Sequence, residues 1–215
     1  MPSSGQIVEI LRKHRLVPVI AIKDAERAQA LAAALVSGGL PIVEITMRTE
    51  AAPAAMSKIS AANKGELTLI AGTVTTPDQV KLAMDCGAQM IVSPGLNTRV
   101  VEHCLKHEIP ILPGVCTPTE IETARNYGLK YLKFFPAEAY GGVKTLKALQ
   151  DVYGQFGFRP TGGVNLQNLG DYLKLPIVVA CGGSWMAPGE LINTGKFDEI
   201  ETLVAQAVAA VAVAS

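Results

Sequence analysis

Residues 129–136 read Leu-Lys-Tyr-Leu-Lys-Phe-Phe-Pro, an apolar run of strand length that carries a charge at Lys133. Alternation along an extended strand places Lys133 on the same face as Tyr131 and Phe135. Because that face is otherwise apolar or aromatic, we expect a partly desolvated amine with a lowered pKa. Such an amine can attack a carbonyl carbon. The alternative is a lysine that reaches water from the strand end and has no chemical role.

Seven further apolar runs of strand length occur along the chain. The eight predicted strands are 17–22, 42–47, 67–74, 89–94, 109–115, 129–136, 158–162 and 177–182. Segments rich in Ala, Leu, Lys and Glu separate them, among them 24–37, 76–86, 118–127 and 143–152. This alternation predicts an α/β protein, a single (β/α)8 TIM barrel domain over residues 1–215 with an N-terminal helix. A doubly wound sheet is the alternative, but the turn after the first strand lacks the glycines typical of that fold.

Composition and charge argue against several classes of partner. Of the 215 residues, 49% are hydrophobic, and 19 Lys+Arg balance 19 Asp+Glu. A neutral chain without a basic block argues against binding to nucleic acid or to an anionic membrane. The N-terminal residues lack the features of a signal peptide, and the apolar stretch 203–214 is too short to cross a bilayer. We therefore expect a cytoplasmic protein with small-molecule partners.

Cysteine and histidine spacing predicts neither a metal site nor a disulfide. The four cysteines are widely separated in the chain and form no Cys-x-x-Cys pair: Cys86, Cys104, Cys116 and Cys181. They are interpreted as reduced, mostly buried thiols. His103 and His107 have the i, i+4 spacing of a zinc pair, but no carboxylate motif accompanies them. Solvated helix histidines are the preferred interpretation.

Polar side chains collect at the predicted strand ends, where the active sites of barrel enzymes lie. The second strand supplies Glu44 and Thr46 on one face, followed by Arg48. A buried glutamate is costly unless it is paired or used in chemistry. A purely structural ion pair with Arg48 or Lys133 is one interpretation. One carboxylate facing two cations, however, leaves a surplus positive charge that suits an anionic substrate.

Two glycine pairs end the seventh and eighth predicted strands, in Thr161-Gly162-Gly163 and Gly182-Gly183-Ser184. Each pair is predicted to open a short helix. Glycines let backbone N–H groups approach a phosphate closely, and a helix N-terminus favours an anion. Phosphate sites in barrels recur after these two strands. The repeated pattern therefore predicts a phosphate site.

The combined motifs resemble the 2-keto-3-deoxy-6-phosphogluconate (KDPG) aldolase family, class I aldolases that also act on 4-hydroxy-2-oxoglutarate. The similarity runs nearly from end to end. It is carried by VPVI at 17–20, VEITMRT at 43–49, AGTV at 71–74, SPG at 93–95, KYLKFFPAE at 130–138, PTGG at 160–163 and GGSW at 182–185. The departures from the family pattern are minor: Ala71 replaces a common glycine, and Cys116 replaces a small hydroxyl residue.

The resemblance implies a role for each candidate residue. Lys133 forms the Schiff base and Glu44 is the general acid/base, while Arg48 and Thr73 hold the pyruvyl carboxylate. The remaining residues are the pocket residues Pro94, Phe135 and Thr161 and the phosphate ligands Gly162, Gly163, Gly182, Gly183 and Ser184. The implied reaction yields pyruvate and glyceraldehyde 3-phosphate without a metal or organic cofactor. The family is typically a homotrimer.

Two other functions remain open from the residues themselves. A phosphate-binding barrel isomerase or synthase would share the glycines but would need no buried lysine. A non-catalytic sensor of sugar phosphates would bind its ligand unchanged. The preferred C4 epimer and the relative activity on 4-hydroxy-2-oxoglutarate are not determined by these motifs.

Overall fold

All strand pairings among the described residues are parallel, as the sequence predicts for an α/β fold. The computed structural model describes residues 4–63 and 65–214. Within these residues the strands are β1 Leu16–Ile20, β2 Ile42–Thr46, β3 Thr68–Gly72, β4 Met90–Val92, β5 Ile111–Leu112, β6 Gly114–Val115, β7 Tyr131–Phe134, β8 Gly157–Pro160 and β9 Cys181–Gly183. Each of the eight predicted segments overlaps at least one strand, although the predicted segment 177–182 shares only Cys181 and Gly182 with β9.

The strands form two parallel sheets. A curled six-stranded sheet has the order β5-β4-β3-β2-β1-β9, and a three-stranded sheet has the order β6-β7-β8. The predicted fifth strand, 109–115, is divided into β5 and β6 by Pro113, which lacks an N–H group to donate to a ladder. Two isolated bridges, Phe158 to Val178 and Thr161 to Gly182, link the β8 and β9 segments.

Helices follow the strands, so each βα unit returns the chain to the start of the next strand. They are α1 Ser4–His14, α2 Ala28–Ser37, α3 Ala52–Ala62, α4 Pro77–Asp85, α5 Thr98–Lys106, α6 Pro118–Asn126, α7 Gly142–Tyr153, α8 Leu169–Leu173, α9 Gly189–Thr194 and α10 Phe197–Ala214. The N-terminal helix is therefore present, and the closing helix begins six residues before the predicted stretch 203–214. No described helix meets the length and hydropathy needed to cross a membrane.

Side-chain caps mark the starts of two helices that follow strands of the cavity side, α4 and α6. Thr76 caps α4, and Thr117 forms a capping box with Glu120 at the start of α6. Proline at the first helical position follows both threonines, where its missing N–H is not needed.

The strands are buried on both faces, as expected for parallel strands covered by helices. The buried side chains are almost all apolar. Among the described residues, the charged side chains in this interior are Glu44, Lys133 and Arg159. A charge removed from water is costly unless it is paired, so these three residues mark the place where the fold departs from a simple apolar core.

Candidate active site

A buried cluster of three charges connects β2, β7 and β8. Both side chains of the Glu44–Arg159 pair are fully buried, and Nη2 of Arg159 donates a hydrogen bond to Oε2 of Glu44. Nζ of Lys133 lies 3.5 Å from the other oxygen, Oε1, which makes an ion pair at the long end of contact distance. Lys133 and Arg159 are direct partners in the parallel register of β7 and β8. The carboxylate therefore lies between two cations.

The sequence analysis did not predict Arg159 as a partner of Glu44 and considered Arg48 instead. Of the two ion pairs considered for Glu44, the one with Lys133 is present, whereas Nε of Arg48 donates to Thr46 Oγ1 at 3.2 Å. The signal for Arg159 was available, since Phe158-Arg159-Pro160 places a charge in an apolar strand just as 129–136 does for Lys133. The two cations that meet the carboxylate are thus Lys133 and Arg159.

The surroundings lower the pKa of Lys133 below its ordinary value. Desolvation is the largest cause, and the positive charges of Arg159 and Arg48 act in the same direction. The negative charge of Glu44, 3.5 Å from Nζ, opposes this shift without cancelling it. The predicted desolvated amine is therefore present, although the paired carboxylate was not part of that argument. A lower pKa increases the fraction of neutral, nucleophilic amine at neutral pH.

Glu44 is held in its ionised form. Burial alone would raise the pKa of Glu44, but the positive charges of Arg159 and Lys133 and the hydrogen bond from Arg159 together outweigh it, and the net pKa lies below the ordinary value. Gly72 on the neighbouring strand makes room for the carboxylate, because a Cβ there would lie 2.2 Å from Oε1 of Glu44. The site thus contains an ionised carboxylate, Glu44, beside a lysine with a lowered pKa, Lys133.

A cavity of about 390 Å³ opens above Lys133. Its lining includes all of the predicted site residues except Glu44 and Gly182, namely Arg48, Thr73, Pro94, Lys133, Phe135, Thr161, Gly162, Gly163, Gly183 and Ser184. Val19, Thr46 and Val164 complete the wall. Glu44 lies behind Lys133 as its ion-pair partner. Gly182 lies behind Thr161, since a Cβ on it would be 2.4 Å from Thr161 Oγ1.

Three of the lining residues have an unusual environment or backbone conformation. Nζ of Lys133 lies 4.9 Å from the centre of the Phe135 ring. Oγ1 of Thr161 is buried and has no hydrogen-bond partner among the described residues. Thr73 has a φ of 58°, in the left-handed region that β-branched residues rarely adopt. Such strain is found mainly at functional sites.

The glycines at the mouth are required for different reasons. Gly162 and Gly163 have φ values of 98° and 86°, which favour glycine, and a Cβ on Gly163 would also lie 2.6 Å from Cβ of Glu138. A Cβ on Gly183 would lie 1.8 Å from the ring of Trp185. The helices that follow begin at Leu169 and Gly189, several residues beyond each glycine pair. The predicted phosphate site would therefore rely on loop N–H groups more than on helix ends.

The cysteines and histidines do not enter the site. Cys104 and Cys181 are buried, and burial raises the pKa of each thiol to about 12. The thiol of Cys116 lies 3.4 Å from Oε2 of Glu120, beside the α6 capping box. The described residues contain no group of three or more His, Cys, Asp or Glu side chains able to hold a metal ion.

Comparison with known proteins gives a consistent family. Residues 7–203 match the family model described as KDPG and KHG aldolase. The 2-dehydro-3-deoxy-phosphogluconate aldolase of Haemophilus influenzae is 46% identical over 206 residues, which cover 96% of this chain and 97% of that protein. The KHG/KDPG aldolase of Escherichia coli K12 is 42% identical over 199 residues, 93% of each chain.

A solved structure extends the similarity to three dimensions. The KDPG aldolase of Legionella pneumophila, crystallised with pyruvate captured as a covalent carbinolamine intermediate, superposes with a TM-score of 0.90 at 38% identity. The alignment covers 93% of this chain and 97% of that one. Residues 7–203, which match the family model, include all the strands of both sheets. The chain therefore belongs to the KDPG and KHG aldolase family and is an aldehyde-lyase.

Proposed function

We propose that this protein is a class I aldolase that reversibly cleaves 2-keto-3-deoxy-6-phosphogluconate to pyruvate and glyceraldehyde 3-phosphate. The observation that carries the proposal is Lys133, a nearly fully buried lysine with a lowered pKa, at a cavity beside the ionised Glu44. An imine-forming lysine needs these properties. The relatives named as KDPG aldolases support the choice of substrate.

In the proposed mechanism the neutral Lys133 amine attacks C2 of the keto acid to form a carbinolamine. Loss of water gives a protonated imine, which accepts electrons when the C3–C4 bond breaks. Glu44 takes the proton of the C4 hydroxyl, directly or through water, as the aldehyde leaves. The enamine that remains is protonated at C3, and water then releases pyruvate and the free amine.

The lining residues divide between the two ends of the substrate. Arg48 and Thr73 are placed to bind the pyruvyl carboxylate, and Pro94 and Phe135 form an apolar wall. The unpaired Thr161 hydroxyl is available to a substrate hydroxyl. Gly162, Gly163, Gly183 and Ser184 line the part of the cavity assigned to the phosphate, with Gly182 acting from behind Thr161. Binding energy at the phosphate would position the reacting carbons.

A second substrate is 4-hydroxy-2-oxoglutarate, cleaved to pyruvate and glyoxylate. The Escherichia coli relative carries both aldolase names. The groups proposed to act on the pyruvyl half do not require a phosphate. We therefore expect this activity as a weaker reaction of the same site, since the phosphate contacts are not used.

The same proposal includes a closed (β/α)8 barrel in one domain over residues 1–215. Two features support closure: β5 and β6 are consecutive segments separated only by Pro113, and two bridges link the β8 and β9 segments. A homotrimeric, cytoplasmic enzyme of the Entner–Doudoroff pathway is the corresponding biological setting, as the family resemblance implies. Size-exclusion chromatography with light scattering tests the trimer.

A coupled pyruvate assay tests the proposed activity. KDPG should yield pyruvate with the natural chain and with Lys130→Met, and none with Lys133→Met. Lys130 is the matched control because it is exposed and lies just before the same strand. Binding without turnover would indicate a sensor, and a product other than pyruvate would indicate an isomerase or synthase. Either result would contradict the proposal.

A further inference from the structure

Arg159 has a buried position that the mechanism above does not use. Its side chain is fully buried among strands, and Glu44 is its ion-pair partner. Nε and Nη1 of Arg159 have no hydrogen-bond partner among the described residues. Burying a guanidinium with most of its donors unpaired is costly. We therefore ask what this arrangement contributes other than stability.

The formal charges of the cluster suggest that benefit. Glu44 carries one negative charge and Arg159 one positive charge, so this pair is neutral by itself. Lys133 then faces a neutral pair from a nearly dry site, and it can lose its proton without leaving an uncompensated charge. If Arg159 were absent, neutrality would require a proton on Lys133 or on Glu44, and either would stop the proposed reaction.

We propose that Arg159 is a positioning residue that neutralises Glu44 and thereby keeps Lys133 in its nucleophilic, uncharged form. The inference rests on the proposed roles of Lys133 and Glu44. The guanidinium binds Oε2, which leaves Oε1 directed toward Nζ of Lys133. Arg159 thus separates two tasks of one carboxylate: one oxygen is held in place, and the other remains available beside the lysine.

The other charged and titratable groups around the pair do not replace Arg159. Arg48 follows β2 and also lowers the pKa of Lys133, but its effect on that pKa is smaller than the effect of Arg159. Arg48 also lines the open cavity. The charge of Arg159 also acts on Cys181 of β9 and lowers the pKa of its thiol. Burial has the larger effect and raises that pKa to about 12, so the thiol is neutral. Arg15, before β1, acts on Cys181 and donates to the carbonyl groups of Leu173 and Val178.

The sign of the effect does not depend on which residue holds the shared proton. The active form needs both Glu44 and Lys133 deprotonated, and the last proton belongs to the pair. Removing a positive charge always makes that proton harder to lose. The rate of imine formation falls at low pH, and we call this part of the pH–rate profile the acidic limb. Arg159→Met should therefore move the acidic limb to higher pH by at least about one unit, so that the rate is about tenfold lower than that of the natural protein at pH values where both profiles are falling.

The experiment measures the rate of borohydride trapping with pyruvate across pH, which reports the neutral amine without requiring bond cleavage. Arg159→Lys keeps the charge, so its limb should stay closer to the natural one. The double variant Glu44→Gln, Arg159→Met removes both charges of the neutral pair, and its limb should return toward the natural position. Circular dichroism and urea unfolding confirm that each variant is folded.

The outcomes distinguish this inference from the proposed function. If the natural protein is not labelled at any pH, the proposed function itself fails. If it is labelled but Arg159→Met has the same limb, or loses rate equally at all pH values, only the role of Arg159 is refuted. A double variant displaced as far as Arg159→Met would also refute it. If Arg159→Met does not fold, the double variant is compared with the natural protein: a limb near the natural position supports the inference, and a limb displaced to higher pH by a unit or more refutes it.

Discussion

Two substitutions in the buried cluster, Glu44→Gln and Lys133→Met, should lower the free energy of unfolding by very different amounts. Glu44→Gln removes the only ion-pair partner that Arg159 has among the described residues and leaves a fully buried guanidinium uncompensated. Breaking a buried pair in this way costs about 3–5 kcal/mol. Lys133→Met leaves the Glu44–Arg159 pair intact and substitutes an apolar chain of similar length. Its cost should be within about 1 kcal/mol.

Urea unfolding followed by circular dichroism measures this difference, because the free energy of unfolding falls linearly with denaturant. The natural chain and Lys130→Met serve as controls, since Lys130 is exposed. The two variants should also differ in turnover and in imine formation. Lys133→Met should have no turnover, while Glu44→Gln should retain slow imine formation with turnover reduced about 10²–10⁴-fold.

Equal stability of Glu44→Gln and Lys133→Met would contradict the charge arrangement described here. It would mean that Arg159 is compensated by another group, and that Glu44 is not the centre of the cluster. Near-normal turnover of Glu44→Gln would remove this residue from the mechanism while leaving the stability argument intact.

Three further predictions follow from single contacts. Ser184→Ala should lower kcat/KM several-fold for the phosphorylated substrate and little for 4-hydroxy-2-oxoglutarate; equal losses would exclude Ser184 as a phosphate ligand. Gly72→Ala should sharply reduce turnover because its Cβ would meet the Glu44 carboxylate, whereas Gly170→Ala, with open space around it, should not; similar activities would refute the packing argument. Because the folded pKa of Glu44 is lowered, its stabilising contribution should be complete above the ordinary value of 4.5 and be lost as pH falls through the folded value. Urea unfolding across acidic pH checks this, and a pH-independent stability in that range would contradict it.

The glycine pairs need a different test from bulky substitution. A side chain on Gly163 would meet Glu138 from a left-handed backbone, and one on Gly183 would meet Trp185. Such variants would disturb the loops for any substrate, so a loss of activity would not identify a phosphate contact. Ser184 is exposed and lines the cavity, which makes its removal the cleaner probe.

The strand pattern was predictable because parallel strands buried on both faces are continuous apolar runs bounded by glycine or proline. The break at Pro113 within a predicted strand was harder to anticipate, since proline is tolerated at strand ends as well as at interruptions. Strand ends also located most of the cavity. Lys133, Arg48 and Thr161 were found this way because polar groups at apolar strand ends have few structural uses.

The ion-pair partners of Glu44 could not be predicted from the spacing of residues along the sequence. Arg48 lies four residues from Glu44 and was the natural candidate for its ion pair, yet Arg159, from a distant part of the chain, occupies that position. Register between β7 and β8 brings Arg159 opposite Lys133, and this register depends on the whole fold. The same holds for Gly182, whose place behind Thr161 follows from the pairing of two segments.

The most direct test of the account is the position of the covalent label left by pyruvate and borohydride. Peptide mass spectrometry should find one three-carbon adduct on the peptide that contains Lys133, and Lys133→Met should abolish labelling while Lys130→Met should not. Labelling of Lys130 or of another lysine, with Lys133 unmodified, would contradict the central claim that the buried lysine of β7 forms the imine.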